Sequence, residues 1–185
     1  FEPLQRQLHQ AGLANSLAQL TLKIAAPGVP DFYQGTEFWD LSFVDPDNRR
    51  AVDFQRRAKD LDRMAKDFAR DPAKLLDSLA ETPEDGRIKL FATWRGLQLR
   101  RAQPELFQRG AFQPLEFEGE RADHLFGLAR TLDNACVLAV VPRLPLGLGK
   151  EGLPVGEDFG DAEIMAPTPY TGTMRNAFTG ELFQA

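Results

Sequence analysis

The sequence has very little cysteine and histidine, and this shortage limits the chemistry that its side chains can perform. Its 185 residues include one cysteine, Cys136, and two histidines, His9 and His124. A lone cysteine in an apolar run is typical of a small buried hydrophobe, and its inability to form an internal disulfide fits a reducing cytoplasm. Neither histidine has an evident nucleophile beside it, so we expect structural roles for both. The sequence has no Cys/His cluster, phosphate-binding loop or Gly-x-Ser-x-Gly turn, so we expect neither a metal nor a cofactor.

Long hydrophobic runs and an excess of positive charge are missing as well. Lys and Arg total 22 against 27 Asp and Glu, which gives a net charge of -5. Because nucleic acids and anionic membranes attract basic surfaces, neither is an expected partner. No apolar run approaches the roughly 20 residues that a membrane-spanning helix needs. The composition, 43% hydrophobic and 26% charged, is instead that of a soluble globular protein.

Residues 1–53 read as one helix, one short strand and a polar loop. Apolar residues recur at helical spacing from Leu4 to Ala26, and Pro27-Gly28 stops the helix. Val29 to Tyr33 is then predicted to be a short strand, because so brief a helix-to-strand joint is typical of α/β units. No second pair of this kind follows, and a (β/α)₈ barrel needs about 250 residues. We therefore expect the strand's neighbours to lie outside this chain, and a start at Phe1 without Met agrees with a piece of a longer protein.

Residues 54–110 are predicted to be a helical connector. Apolar spacing of three and four predicts a helix from Val52 to Arg70, with Asp53 as its N-cap. A shorter helix restarts at Asp71-Pro72, and a third runs from Arg87 to about Ala102.

Residues 111–185 change to a period of two, which predicts an antiparallel β domain, as a sheet or a sandwich. A meander with a buried central strand is expected from Gln113 to Glu118, Asp123 to Thr131 and the fully apolar run Ala135 to Val141. A glycine-rich loop at 147–160 follows. Strands are then expected at Ala162 to Met165 and Thr173 to Phe178, with a closing hairpin at 179–183.

The stretch from Pro27 to Asp53 concentrates acidic, arginine and aromatic side chains. Glycoside chemistry uses two carboxylates about 5 to 9 Å apart. Acids bunched on one loop are more often caps and turn-formers, however, so the pattern is suggestive of a sugar surface without being specific. The other side chains beside these acids favour a sugar ligand, because sugar hydroxyls need planar polar partners and the C–H faces of the sugar ring need an aromatic side chain. The residues concerned are Asp31, Glu37, Asp40, Asp45, Asp47 and Asp53, with Phe38, Trp39, Asn48, Arg49 and Arg50.

Three runs of the sequence carry a family resemblance: Asn15 to Gln19, Ala26 to Glu37, and Asp45 to Asp53. Together they closely resemble the maltooligosyl trehalose synthases of the α-amylase superfamily (glycoside hydrolase family 13). The second run looks like the eighth barrel strand and following loop of that superfamily, whereas its combination with the third is particular to the synthases. Segments at 86–90, 100–107 and 118–124 are similar to the family's C-terminal region. The sequence departs from the family at Ala51, where proline is usual, and near Met174, where tryptophan is usual.

The resemblance implies an α+β fragment: the last αβ step of a (β/α)₈ barrel, a helical connector and a C-terminal antiparallel β domain. It also implies an isomerase of malto-oligosaccharides, which converts the reducing-end α-1,4 bond into an α,α-1,1 bond by intramolecular transfer. Such a retaining mechanism uses a carboxylate nucleophile and a separate acid/base. In the superfamily these acids follow earlier barrel strands, upstream of Phe1, and no residue here matches them. We therefore expect no catalytic residue in this chain, and the chain alone to be inactive.

Within an intact enzyme of this family, the loop is expected to lie on the substrate side. Asp47, Asn48, Arg49 and Arg50 are candidates to contact substrate or to order the loop, with Asp45 in support. Trp39 is a candidate stacking face for sugar. Arg49 could instead form a buried ion pair that holds the loop, because arginine serves both roles well, and both possibilities stay open.

Two other functions fit the same sequence. The chain could be a non-catalytic carbohydrate-binding or structural β module, or part of a different hydrolase of the α-amylase superfamily. A binding module would need a platform of exposed aromatics, yet Phe117, Phe126 and Phe178 sit at strand positions that fit a core. Titration with maltose would detect such a module, and product analysis would separate a hydrolase from a synthase.

Overall fold

The computed structural model of the protein describes residues 1–43, 45, 49–149, 152–165, 167, 170 and 172–184. The helices are α1 (Glu2–Ala25), α2 (Phe54–Arg70), α3 (Pro72–Glu81), α4 (Arg87–Ala102) and α5 (Pro104–Arg109). The strands are β1 (Ala111–Pro114), β2 (Glu116–Glu118), β3 (Leu125–Leu132), β4 (Ala135–Pro142), β5 (Glu163–Met165), β6 (Thr173–Arg175) and β7 (Leu182–Gln184).

Helix α1 lies between α4 and the sheet strand β4. Its predicted extent is confirmed to within two residues at its start, and Leu13, Leu20 and Ile24 of the predicted apolar stripe are buried. The contact with α4 is close because Gly96 has no side chain: a Cβ there would meet Ile24 Cδ1 at 2.8 Å. This close approach brings the C-terminal end of α1 beside α4.

Helices α2, α3 and α4 share one hydrophobic core. Its buried members are Phe38, Met64, Leu75, Leu79, Leu90 and Phe91. The sharp joints between helices follow from capping: Asp53 Oδ1 accepts from Arg56 N at 2.8 Å, and Asp71 Oδ1 accepts from Lys74 N at 3.1 Å. The sequence predicts the Asp53 cap. It predicts residues 104–109 only as part of the connector, and not as the separate helix α5.

The largest sheet within the described residues has the antiparallel order β1-β3-β4. The single strand predicted at 113–118 is wrong, because the chain divides at Leu115: β1 pairs with β3, and β2 pairs with β5. Pro114 has no N–H with which to continue the ladder, and Leu115 is buried. The buried central strand is β3. Among the described strands, the fully apolar β4 pairs with β3 alone, and it is half-buried over most of its length.

Arg130, on β3, is only 1% exposed and joins the sheet to two helix ends. Its guanidinium donates to main-chain carbonyls of Ala25 at 3.3 Å, Phe107 at 3.1 Å and Gly110 at 2.9 Å. Burial lowers the pKa of this group from its ordinary value. The carbonyls at the ends of α1 and α5 thus offset the cost of burying its charge.

Two further expectations differ from the structure. Val29 to Tyr33 forms no strand, and Val29 is 93% exposed. A strand needs a neighbour for its N–H and C=O groups, and no other segment pairs with this one within the described residues. Phe126 is 48% exposed, against the predicted core position, whereas Phe117 is half-buried and Phe178 packs on the helical core.

The predicted closing hairpin is confirmed. Strands β6 and β7 pair in antiparallel register around the turn at 176–181. Asn176 Oδ1 accepts from Phe178 N at 2.9 Å and Thr179 N at 3.2 Å, which closes the turn.

Candidate functional site

The 26–53 loop is the segment between α1 and α2. Arg100, on α4, donates hydrogen bonds to carbonyls at the point where this loop leaves the end of α1. Arg100 Nη1 donates to Ile24 O at 2.6 Å, and its Nη2 donates to Gly28 O at 2.6 Å. These carbonyls belong to the last turn of α1 and the first bend of the loop. A cation at a helix C-terminus is favourable, because the free carbonyls there carry partial negative charge.

The next part of the loop is held by Lys23, from the last turn of α1. Its Nζ donates to Asp31 O at 2.8 Å and lies 4.1 Å from the ring centroid of Phe32. A tight turn follows, in which Thr36 N donates to Tyr33 O at 3.1 Å. Gly35 takes a φ of +93° in this turn, a conformation that favours glycine.

Arg57, on α2, fixes the turn and the acid after it. Its Nε donates to Glu37 Oε2 at 2.8 Å, its Nη2 to Gly35 O at 2.7 Å, and its Nη1 to Asp53 O at 3.0 Å. The Arg57 and Glu37 side chains are 16% and 25% exposed. Glu37 therefore has a structural role in this geometry, and its carboxylate is committed to a guanidinium.

Phe38 and Trp39, the two loop aromatics expected to offer faces to a sugar, pack against the protein. Phe38 is buried in the helical core, so it offers no face to a ligand. Trp39 is half-buried, and its Nε1 donates to Pro83 O at 2.6 Å. Lys89, on α4, lies 5.4 Å from the Trp39 ring centroid and donates from Nζ to Phe38 O at 3.2 Å. A stacking role for Trp39 would have to use the part of the ring that Lys89 leaves open.

Burial lowers the pKa of the Lys89 ammonium, and the charge of Lys23 lowers it further. Asp40 and Glu37 act in the opposite direction, because their negative charges favour the protonated amine. The pKa of Asp40 is lowered first by hydrogen bonds from Ser42, with smaller contributions from Lys89 and Arg50. Ser42 N and Oγ donate to Asp40 Oδ1 at 3.0 and 2.5 Å.

The predicted site residues are only partly within the described structure. Asp47 and Asn48 lie outside the described residues. Arg49 forms an ion pair with Asp45, in which Arg49 Nη2 donates to Asp45 Oδ2 at 3.0 Å. The side chains are 72% and 56% exposed, so the ion pair is not the buried one considered for Arg49. Arg50 is exposed.

Sequence reasoning missed the cations that hold the loop, namely Lys23, Arg57, Lys89 and Arg100. Each donates to a carbonyl of the loop. The sequence separation of these bonds ranges from 4 residues, for Arg57 and Asp53, to 74 residues, for Arg100 and Ala26. Periodicity finds the helix that carries such a cation but not the distant carbonyl that it binds. The position of Arg57 four residues after the capping Asp53 is the only local signal among the four.

The described residues include no group of three His, Cys, Asp or Glu side chains placed to hold a metal ion. In the same residues, none of the helices combines the length and the apolarity that crossing a membrane requires. The loop thus presents an exposed polar face, with Asp45, Arg49 and Arg50, on a backbone held by cations from helices. Such a face can donate and accept hydrogen bonds.

Comparisons with known proteins agree on one family, although no protein-family model matches the chain. Two curated relatives, from two strains of Mycobacterium tuberculosis, carry the name maltooligosyl trehalose synthase and are 36% identical over 149 residues. That alignment covers 80% of this chain and 16% of each relative. The chain therefore spans about a sixth of the length of the curated relatives it matches.

Solved structures give the same result over nearly the whole chain. The structure of maltooligosyltrehalose synthase from Arthrobacter ramosus is 39% identical, with a TM-score of 0.75, over 98% of this chain and 21% of that chain. Another structure, of a maltooligosyl trehalose synthase, is 27% identical with a TM-score of 0.68 over 99% of this chain and 21% of that chain. The mixed helical and antiparallel architecture thus matches about a fifth of each of these two solved chains. The chain belongs to the maltooligosyl trehalose synthase family.

Proposed function

We propose that this chain is the C-terminal part of an intramolecular transglucosylase acting on malto-oligosaccharides. The whole enzyme converts the reducing-end α-1,4 bond into an α,α-1,1 bond and is a (1->4)-alpha-D-glucan 1-alpha-D-glucosylmutase of the cytoplasm. The observation that carries the proposal is the likeness to the Arthrobacter ramosus synthase, which extends over 98% of the chain.

We assign the reactive acids of the proposed reaction to the part of the enzyme that this chain does not span. A retaining mechanism needs a nucleophilic carboxylate about 5 to 5.5 Å from the acid/base carboxyl. In the loop, Glu37 is paired with Arg57 and Asp40 accepts two bonds from Ser42. These contacts support placing the reactive acids elsewhere, so that this chain supplies one wall of the pocket.

The proposed domain boundaries follow the same division. Residues 1–53 end the barrel domain, with α1 as its last helix and 29–33 as its eighth strand. Residues 54–110 form the helical connector, and residues 111–185 form the C-terminal β domain. Within the described residues no strand pairs with 29–33, and this supports the assignment because a barrel strand needs neighbouring strands, which the rest of the enzyme would supply.

The proposed substrate-side residues are Asp47, Asn48, Arg49 and Arg50, with Asp45 and Trp39 in support. The exposed Arg49–Asp45 pair supports a polar contact to sugar, because a carboxylate orients the guanidinium fork while leaving it accessible. The half-buried Trp39 is held by Pro83 and Lys89, so it would contact sugar as a fixed surface.

Product analysis of the full-length enzyme tests the proposal. Incubation with maltopentaose is expected to give a product of unchanged length that has lost its reducing end. Glucose and shorter maltodextrins as the main products would instead identify a hydrolase. Binding of maltose without any turnover of maltopentaose would identify a binding module.

A further inference from the structure

We infer that helix α4 positions the substrate-side loop, with Lys89 and Arg100 as positioning residues for the reaction. The inference rests on the proposed function, which places the loop beside the sugar. Lys89 and Arg100 are eleven residues apart in sequence, so on a helix they are about three turns and about 16 Å apart on one face. The two side chains donate hydrogen bonds to the loop near the two ends of its 26–39 segment.

The acceptors show what these cations do. Arg100 donates to Ala26 O at 3.3 Å and Gly28 O at 2.6 Å, and Lys89 donates to Phe38 O at 3.2 Å. All of these atoms belong to the main chain of the loop. Main-chain acceptors fix the path of the backbone whatever side chains it carries, which is what a positioning contact requires.

Helix α4 is itself rigidly placed, so its cations can act as fixed points. Leu90 and Phe91 are 5% and 2% exposed in the helical core. On another side Gly96 meets Ile24 of α1 without space for a Cβ. Between the two fixed points, Arg57 holds Gly35 and Glu37 from α2.

The residues proposed to meet substrate follow directly after the second fixed point. Trp39 comes one residue after Phe38, and Asp45, Arg49 and Arg50 follow within twelve residues of it in the sequence. A shift of the backbone at residue 38 is therefore expected to displace Trp39, the next residue, most directly. Misplacement by about 1 Å at a distance from the chemistry can cost about 100-fold in rate.

If the loop is displaced, water can enter the pocket and compete with glucose as the attacking group. In the proposed retaining reaction, cleavage of the α-1,4 bond gives a glycosyl-enzyme ester and a glucose, whose O4 takes the proton of the acid/base carboxyl. The anomeric hydroxyl of that glucose then attacks the anomeric carbon of the glycosyl-enzyme, which forms the α,α-1,1 bond, breaks the bond to the enzyme carboxylate and returns a proton to the acid/base. Attack by water forms a shortened maltodextrin and releases the glucose. The ratio of these products reports how well the pocket holds glucose and excludes water.

The test compares Arg100→Lys and Lys89→Met in the full-length enzyme with two control variants. Arg101→Lys and Lys66→Met change the same residue types at exposed positions on α4 and α2. With maltopentaose, we expect Arg100→Lys and Lys89→Met to lower kcat about tenfold and to raise the fraction of free glucose several-fold. The controls are expected to match the parent enzyme.

Amide hydrogen exchange at 28–38 gives a second readout that does not depend on turnover. Exchange is expected to become faster in both test variants and to stay unchanged in the controls. Parent-like kinetics, product ratio and exchange, with only a lower Tm, would overturn the inference, as would equal changes in the controls. If the parent forms no product with the α,α-1,1 bond, the proposed function fails while exchange at 28–38 still decides the positioning role. If Arg100→Lys does not fold, Lys89→Met decides it, because that change keeps most of the side-chain stem.

Discussion

The two halves of the 26–53 loop are built in opposite ways. In the anchored half, residues 26–39, backbone carbonyls accept from Lys23, Arg57, Lys89 and Arg100, all carried by helices. In the outer half, residues 40–50, the described side chains pair locally, as in Ser42 with Asp40 and Arg49 with Asp45. The same residue types thus fix the backbone in one half and stay exposed in the other. Exposed, locally oriented groups are those that can meet a ligand, so we expect binding in the outer half and stability in the anchored half.

Arg57→Met should give the largest loss of stability, because it removes three hydrogen bonds, two of them to the anchored half, and leaves Glu37 without its partner. We expect the free energy of unfolding to fall by about 2–3 kcal/mol. Urea unfolding of the chain, followed by far-UV circular dichroism, measures it.

Arg63→Met on the same helix is the control for that change. Arg63 is 76% exposed and pairs with Asp67 at 3.7 Å, so the expected change is within about 0.5 kcal/mol. Equal losses of unfolding free energy in Arg57→Met and Arg63→Met would show that cations bound to the loop stabilise the protein no more than exposed ones.

Trp39→Phe should have an intermediate effect, because it removes the bond from the indole Nε1 to Pro83 O while keeping an aromatic face. The expected loss is about 1 kcal/mol in the free energy of unfolding. If Trp39 stacks on sugar, KM for maltopentaose stays near the parent value in Trp39→Phe and rises in Trp39→Ala. An equal KM in both variants would show that Trp39 only anchors the loop.

Arg49→Lys tests the outer half and should change stability very little, by at most about 0.5 kcal/mol, because exposed ion pairs contribute little. In the full-length enzyme we expect a higher KM or a lower kcat, since lysine lacks the planar fork that orients on a hydroxyl pair. Unchanged kinetics with a lower Tm would assign Arg49 a structural role instead.

Ser42→Ala should give the smallest effect, a change in the titration of Asp40. The hydrogen bonds from Ser42 hold the pKa of Asp40 below its ordinary value of 3.8. A lowered carboxyl pKa contributes stability above pH 3.8, and this is lost as the pH falls through the folded-state pKa. Removing Oγ should move the pKa of Asp40 up toward 3.8, as measured by NMR titration of its carboxyl carbon. A pKa that stays unchanged would show that the backbone N–H bond alone sets it.

Local signals in the sequence were sufficient for much of the fold. Asp53 before an apolar period predicted a capped helix, and the period of α4 gave both of its ends, because caps and periodicity act between near neighbours. The turn at 179–181 was predicted from Thr-Gly for the same reason. Long-range contacts were not predictable in this way. Arg130 looks like a surface residue of a strand in the sequence, and only the ends of α1 and α5 explain its burial.

The candidate site shows the same division. Trp39 was predicted as a flat apolar face from residue type alone, but its partner Pro83 is 44 residues away and could not be inferred from spacing. The residue type of Phe38 predicts a ligand-facing aromatic, yet Phe38 fills the core where Gly86, with φ +82°, leaves room for it. The family resemblance, in contrast, is visible in three short runs, because each run is a continuous stretch of sequence.

The most direct test of the account is to incubate the isolated 185-residue chain and the full-length enzyme with maltopentaose under the same conditions. The account predicts that the full-length enzyme forms the non-reducing isomer of maltopentaose and that the chain alone leaves maltopentaose unchanged. Formation of that isomer by the chain alone would contradict it, because the reactive carboxylates would then have to lie within these residues.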